Sequence, residues 1–152
     1  MTKLEWRTLL HSAFYTLHSA FLLGCGGSSQ LVLPAAGATP DDRLSEVVTA
    51  ALEADARLES PDTLYAVDAE IIADGMARTG APRYAGIGTG GSVAVTSSRL
   101  EVRGTVAWAR LEYRWVPGNQ GVVREGRATF VLSPNEKGAW LIRHAHSSSP
   151  DR

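Results

Sequence analysis

From Thr39 onward the apolar positions change period once. Leu44, Val47, Val48, Ala51, Leu52 and Leu58 recur at three- and four-residue spacings, which predicts a helix with one apolar face. Thr39 sits as its N-cap and Pro40 in its first turn, with Asp41 and Asp42 at the positive end of the dipole. Ser60-Pro61-Asp62 ends this helix and opens a short second one through Thr63-Leu64-Tyr65-Ala66. After that the pattern is strand-like. Ala69 to Ala73, then Asp74-Gly75, then Met76 to Thr79 predicts a tight hairpin, because Asp-Gly suits a two-residue turn. The glycine-rich segment 80–91, which also holds Pro82, reads as loop. Four strands are predicted beyond it, over 92–96, 99–116, 122–133 and 139–147, the second long enough to split or bulge near Gly104. A long helix, a short helix and a run of antiparallel strands make an α+β layout in which the leading helix covers the sheet's apolar face.

The first 38 residues have a different character. Lys3 and Arg7 precede an apolar run, Leu9 to Leu23, that His11, Ser12, Thr16, His18 and Ser19 interrupt. The run is too short and too polar for a permanent membrane span. Its charged front, apolar middle and small-residue end are those of an export signal. Leu22-Leu23-Gly24-Cys25 resembles a lipobox, an aliphatic residue at minus three and a small one at minus one before the cysteine that takes a diacylglycerol. The competing reading of the same residues is a buried N-terminal helix in which Cys25 is a small apolar filler. The lipobox divides the chain into a signal peptide (1–24), a lipidated cysteine with a flexible tether (25–38), a domain (39–148) and a short tail (149–152). It implies a cell-envelope protein anchored to a membrane that faces the periplasm or exterior. Gly26, where retention at the inner membrane would want an aspartate, favours the outer membrane in a host that has one.

Composition narrows the function classes. A mature chain of about 128 residues suits one domain with one core. Its only cysteine would be lipidated, which excludes an internal disulfide and thiol nucleophilic chemistry. Fifteen basic against 16 acidic residues give no reason to expect a nucleic-acid partner. No cluster of Cys and His calls for a metal, and no motif calls for a cofactor. Gly86-Ile87-Gly88-Thr89-Gly90-Gly91 mimics a phosphate loop, yet no Gly-Lys-Ser/Thr ends it and no helix follows. Ser147, Ser148 and Ser149 beside His146 suggest a nucleophile with a base, but at a fraying terminus without an oxyanion hole.

Leu64-Tyr65-Ala66-Val67-Asp68-Ala69, the Asp-Gly hairpin, Gly126 to Leu132, and the closing Gly138-Ala139-Trp140-Leu141-Ile142-Arg143-His144-Ala145-His146-Ser147 resemble the NTF2-like superfamily. They are more closely similar to its SnoaL-like and DUF4440-type members, over residues 40 to 148. The resemblance implies a cone, a curved antiparallel sheet packed on an N-terminal helix, with a pocket inside and frequent dimerisation through the outer sheet face. The family's middle helix is missing, since Gly80 to Gly91 could hardly form one; that segment would be a lip over the opening. Members include isomerases, cyclases, dehydratases and non-catalytic binding domains, so fold does not fix function. The ketosteroid-isomerase-like branch needs an aspartate base on the strand after the second helix. By register that place falls nearest Ala73, whereas Asp74 belongs to the turn and Glu70 has no settled direction. The first helix also lacks a pocket-facing tyrosine, so the chain departs from the isomerase pattern.

Asp55 falls at the centre of the helix's apolar stripe. It is either a pocket acid or base with a raised pKa, or a clamp that ties the helix to the sheet through Arg, His or backbone donors. By strict alternation Trp140, Ile142, His144 and His146 share one face, so a histidine meeting Asp55 would make a general base or a core clamp. Two such histidines could also hold a metal, but no third ligand is evident. Ala107, Ala109, Leu111, Tyr113 and Trp115 form a core or pocket wall, with Trp108, Arg110, Glu112 and Arg114 on the solvated or dimer-forming side. Arg127 either binds a carboxylate ligand or pairs with Glu112 or Glu125. The expected function is therefore binding of a small apolar or amphiphilic molecule, or of a protein partner, without turnover. Tyr113, Trp115, Trp140 and Arg127 are the binding candidates, and Asp55, His144 and His146 carry any chemistry. The competing classes are a proton-transfer enzyme on a hydrophobic substrate, and an interaction domain whose cone is filled by its own side chains.

Overall fold

The computed structural model describes residues 39–150. The expected signal peptide, Cys25 and the expected tether lie outside the described residues. Helix α1 spans Pro40–Ala56. A capping box starts it: Thr39 Oγ accepts the Asp42 N–H at 3.2 Å, and the Asp42 carboxylate accepts the Thr39 N–H at 3.0 Å and its hydroxyl at 2.8 Å. Those bonds, hydroxyl first, hold the Asp42 carboxyl below its ordinary value. Leu44, Val48, Ala51, Leu52 and Asp55 are wholly buried along one stripe. Leu58 does not belong to it: the helix has ended, and at φ +59° the residue turns outward, 48% exposed. The short second helix reduces to a single 3-10 turn, Asp62–Leu64, because Tyr65 already begins a strand.

Six strands follow: β1 (Tyr65–Ala73), β2 (Met76–Ala77), β3 (Ser92–Arg103), β4 (Val106–Val116), β5 (Arg124–Pro134) and β6 (Trp140–Ser148). They form one curved sheet in the order β2-β1-β6-β5-β4-β3. The Asp74-Gly75 turn is as predicted, with φ of +49° and +78°, and sets Ala73 opposite Met76. The predicted break at 97–98 is instead a bulge inside β3, between Val95 and Ser97, while the chain reverses at Gly104-Thr105. One pairing departs from the antiparallel expectation. β6 returns alongside β1 in parallel, because the chain crosses from β2 to β3 through segment 78–91 before the three antiparallel reversals.

In β4 the alternation holds: Ala107, Ala109, Leu111, Tyr113 and Trp115 are all buried. With Ala128, Phe130 and Leu132 of β5 and the α1 stripe they make the core, whose buried members all lie between Leu44 and Ala145. In β6 the alternation fails. Val131 pairs with His144 but Leu132 pairs with Ile142, so Arg143 is an extra, bulged residue. Ile142 points inward, and after the bulge Ala145 and Ser147 do. His144 and His146 therefore lie on the outer face, opposite to the side that unbroken alternation assigns them.

The capping box generates a test. Thr39→Ala should cost about 1 kcal/mol in urea unfolding. A midpoint equal to that of the parent would show the box to be idle.

Candidate functional site

The Asp55 carboxylate is wholly buried and faces segment 80–91. The Arg83 N–H lies 2.7 Å from both Oδ1 and Oδ2, and the Tyr84 N–H donates to Oδ2 at 2.9 Å. The Arg83 guanidinium adds its charge, with Nε 3.6 Å from Oδ1. Desolvation is the larger influence and raises the Asp55 carboxyl above its usual range, against the Tyr84 and Arg83 amides and the Arg83 charge. Arg83 is itself buried. Its guanidinium lies on the Tyr65 ring at 4.1 Å, while Nε and Nη2 find no hydrogen-bond acceptor among the described residues. The Tyr65 and Tyr84 hydroxyls meet at 3.0 Å, and the Tyr84 ring packs on Phe130 with centroids 5.3 Å apart. Burial raises both phenols, that of Tyr84 well above its ordinary value.

The sheet fixes the same segment from its other side. The Tyr113 hydroxyl donates to the Ala85 carbonyl at 2.6 Å, and Trp115 Nε1 donates to the Gly90 carbonyl at 2.7 Å. Ser147 Oγ accepts the Ala85 N–H at 3.0 Å, and the Gly90 N–H reaches the Ala56 carbonyl at 2.6 Å. Two glycines make room for this contact. A Cβ on Gly88 would stand 2.7 Å from the Trp115 ring, and one on Gly126 would strike the Tyr113 ring. Tyr84, Ala85 and Ile87 are buried in the concave side of the sheet. The predicted lip is thus a plug, and the polar atoms of Asp55, Tyr113 and Trp115 are spent on holding it.

The remaining candidates lie elsewhere. His144 is half-buried on the outer face with Nδ1 3.5 Å from the Glu70 carboxylate, and His146 is exposed beside Thr129. Neither meets Asp55, so no Asp–His pair forms. The bulge at Arg143 is the cause. Arg127 lies on the outer face, 3.2 Å from Glu112, which is the structural alternative foreseen for it. Trp140 is half-buried at the start of β6, packed against the core. Asp74 accepts the Ser149 N–H at 3.0 Å across the turn. Among the described residues no three His, Cys, Asp or Glu side chains converge as metal ligands do. Sequence reasoning passed over Arg83 and Tyr84, and weighed Ser147 only as a nucleophile beside His146, whereas its hydroxyl is buried against Ala85. Tyr84 and Ile87, large side chains in an otherwise small-residue segment, were the available signal that 80–91 packs inward. The surface of the described residues also carries clefts. One of about 480 Å³ is lined by Arg114, Val116, Val123 and Glu125, and one of about 260 Å³ lies between the end of α1 and the start of β3.

No family profile and no curated protein matches the chain. Solved structures do. A candidate ketosteroid isomerase from Parabacteroides distasonis superposes with a TM-score of 0.57 at 13% identity, over 78% of this chain and 94% of the other. The fold is NTF2-like. An NTF2-like protein with a cystatin-like fold from Novosphingobium aromaticivorans gives 0.56 at 15% identity, over 73% and 82% of the two chains. An NTF2-like superfamily protein from Salmonella enterica gives 0.55 at 19%, over 72% and 89%. Identities this low carry the NTF2-like architecture and leave chemistry to the residues of this chain.

Asp55 provides the test of this arrangement. Asp55→Ala strands Arg83 and two backbone amides in the interior and should cost about 3–5 kcal/mol. Asp55→Asn keeps one acceptor but turns an amide donor on amide donors, for about 1–3 kcal/mol. Because the folded carboxyl binds its proton more readily than the unfolded one, this group adds stability as pH falls. The gap between parent and Asp55→Asn should therefore widen on acidification from neutrality towards 3.8 and level off below it. A gap that narrows over that interval, in denaturant titrations at several pH values, would mean that the Arg83 charge outweighs desolvation.

Proposed function

We propose that the chain is a lipid-anchored cell-envelope protein whose NTF2-like domain works as a non-catalytic interaction module, through its surface rather than through a pocket. One observation carries this reading: segment 80–91 fills the concave side of the sheet, where the family resemblance placed a ligand. Asp55, the one buried carboxylate among the described residues, has both oxygens engaged by that segment. A general base needs an open lone pair within reach of a substrate proton, and here there is neither reach nor room. The aromatic pair expected to shape a cavity, Tyr113 and Trp115, donates to the carbonyls of the plug. Residual likeness to SnoaL-like enzymes is then a matter of descent in the scaffold. The lipobox-like Leu22-Leu23-Gly24-Cys25 stretch supports lipid attachment at Cys25 and, with it, the envelope setting.

Two measurements check the two halves. Native mass spectrometry of residues 26–152 isolated by mild extraction should give the bare polypeptide mass. A copurifying small molecule of defined mass would overturn the plugged-module reading and restore the pocket-binding or proton-transfer one. Labelled fatty acid fed to the producing cells should enter the parent chain and not Cys25→Ser. Equal labelling of both, or of neither, would remove the anchor.

A further inference from the structure

Charge on this domain is sorted by element. Residues 39–64, which hold α1, carry seven acidic and two basic side chains. Residues 92–150, which hold β3 to β6, carry eight basic and four acidic ones. On the outer face of the sheet four of the carboxylates are already taken by arginines, and Glu70 lies against a histidine. Arg103 pairs with Glu101, Arg114 with Glu125 at 2.9 Å, Arg127 with Glu112 at 3.2 Å, Arg143 with Asp68 at 2.8 Å, and His144 lies against Glu70 at 3.5 Å. Arg99 and Arg110 remain. They face each other directly across β3 and β4, both exposed, and neither has an ion-pair partner among the described residues. Like charges in direct cross-strand register are unfavourable, and nothing on the face relieves them. One position along, Trp108 stands 40% exposed between Glu101 and Val131.

We propose that this outer face docks on an anionic phospholipid surface, with Arg99 and Arg110 on lipid phosphates and Trp108 at headgroup level. The proposal rests on the lipid anchor of the preceding section. From Cys25, the tether 26–38 reaches at most about 45 Å when extended, enough to bring any side of the domain to the bilayer. The charge sorting then selects the side: the acidic helix turns away and the basic sheet turns in. An exposed tryptophan beside arginines suits the interfacial zone. A second copy is a poor occupant of the same face. Two sheets packed face to face would bring four unpaired guanidinium groups together without adding a free carboxylate.

Co-sedimentation of residues 26–152, which hold every described element, with two kinds of vesicle tests this. Binding is expected to vesicles of phosphatidylcholine with about one-third phosphatidylglycerol, to fall with added salt, and to be weak on phosphatidylcholine alone. Replacing both arginines, Arg99→Gln with Arg110→Gln, should lower the partition coefficient roughly 30-fold. Trp108→Ala should lower it further, and Arg57→Gln on the helix side should leave it unchanged. Thermal unfolding of the double variant should be unaltered or shifted upward, which separates lost docking from lost folding. Equal binding to both vesicles, no binding to either, or a double variant that binds like the parent would overturn the proposal. Capture of an acidic protein by a domain that ignores the vesicles would overturn it too. Acyl labelling of Cys25 is read independently, so a failure of docking is distinguishable from a failure of the anchor.

Discussion

A carboxylate buried in the middle of a helix's apolar face must be answered by donors brought from elsewhere in the chain. Here the answer to Asp55 comes from the backbone of Arg83 and Tyr84, 28 and 29 residues away in sequence. An ionised carboxyl without partners would cost several kcal/mol at that position, so the helix and the segment 80–91 cannot settle separately. Once the segment is drawn in, its other contacts follow. Tyr84 reaches Tyr65 of β1 and Phe130 of β5, Ala85 reaches Tyr113 and Ser147, and Gly90 reaches Trp115. A segment that is poor in apolar bulk and rich in glycine thereby becomes part of the core. It does so through backbone polar groups, which every residue has, together with its two large side chains, Tyr84 and Ile87.

That division explains which parts could be read from the chain. Local signals were legible: the Thr39 cap, the α1 stripe, the Asp74-Gly75 hairpin and the inward set of β4 each depend on residues within a few positions of one another. So was Asp55 as an anomaly, and a clamp onto backbone donors was one of its two readings. The donors were not legible, because a backbone amide leaves no mark in a sequence. The outward turn of His144 and His146 was also hidden. Alternation is a sound rule only while every residue pairs, and a single bulge at Arg143 reverses every later side chain. The parallel partnership of β1 and β6 is of the same kind, being set by how the chain crosses the sheet and not by either strand's composition.

Filling the concave side changes what the fold can be used for. In an NTF2-like cone the interior is where shape, dryness and polar groups can be concentrated on one ligand. This chain spends those assets on its own backbone: Gly88 and Gly126 let two aromatic rings close on the plug with no space for a further methyl group. What stays variable is the exterior. The outer face of the sheet is laid out as acid–base pairs, most of them cross-strand, each worth little alone because each is exposed to solvent. Their effect is collective, since arginines pair with Asp68, Glu101, Glu112 and Glu125, leaving Glu70 against a histidine.

The formal charge of −1 for the whole chain conceals this arrangement. Near-neutral chains are ordinarily read as indifferent to charged surfaces, and as a statement about long-range attraction that is fair. Contact is governed instead by the charges within a Debye length, about 8 Å at physiological ionic strength. On that scale a partner at the sheet meets Arg99 and Arg110 unopposed, while the acids of α1 lie on the other side of the core. The preference of one face over another needs no excess of charge in the protein. It needs only that the acids on the favoured face be already paired, and the register of β3, β4 and β5 provides that.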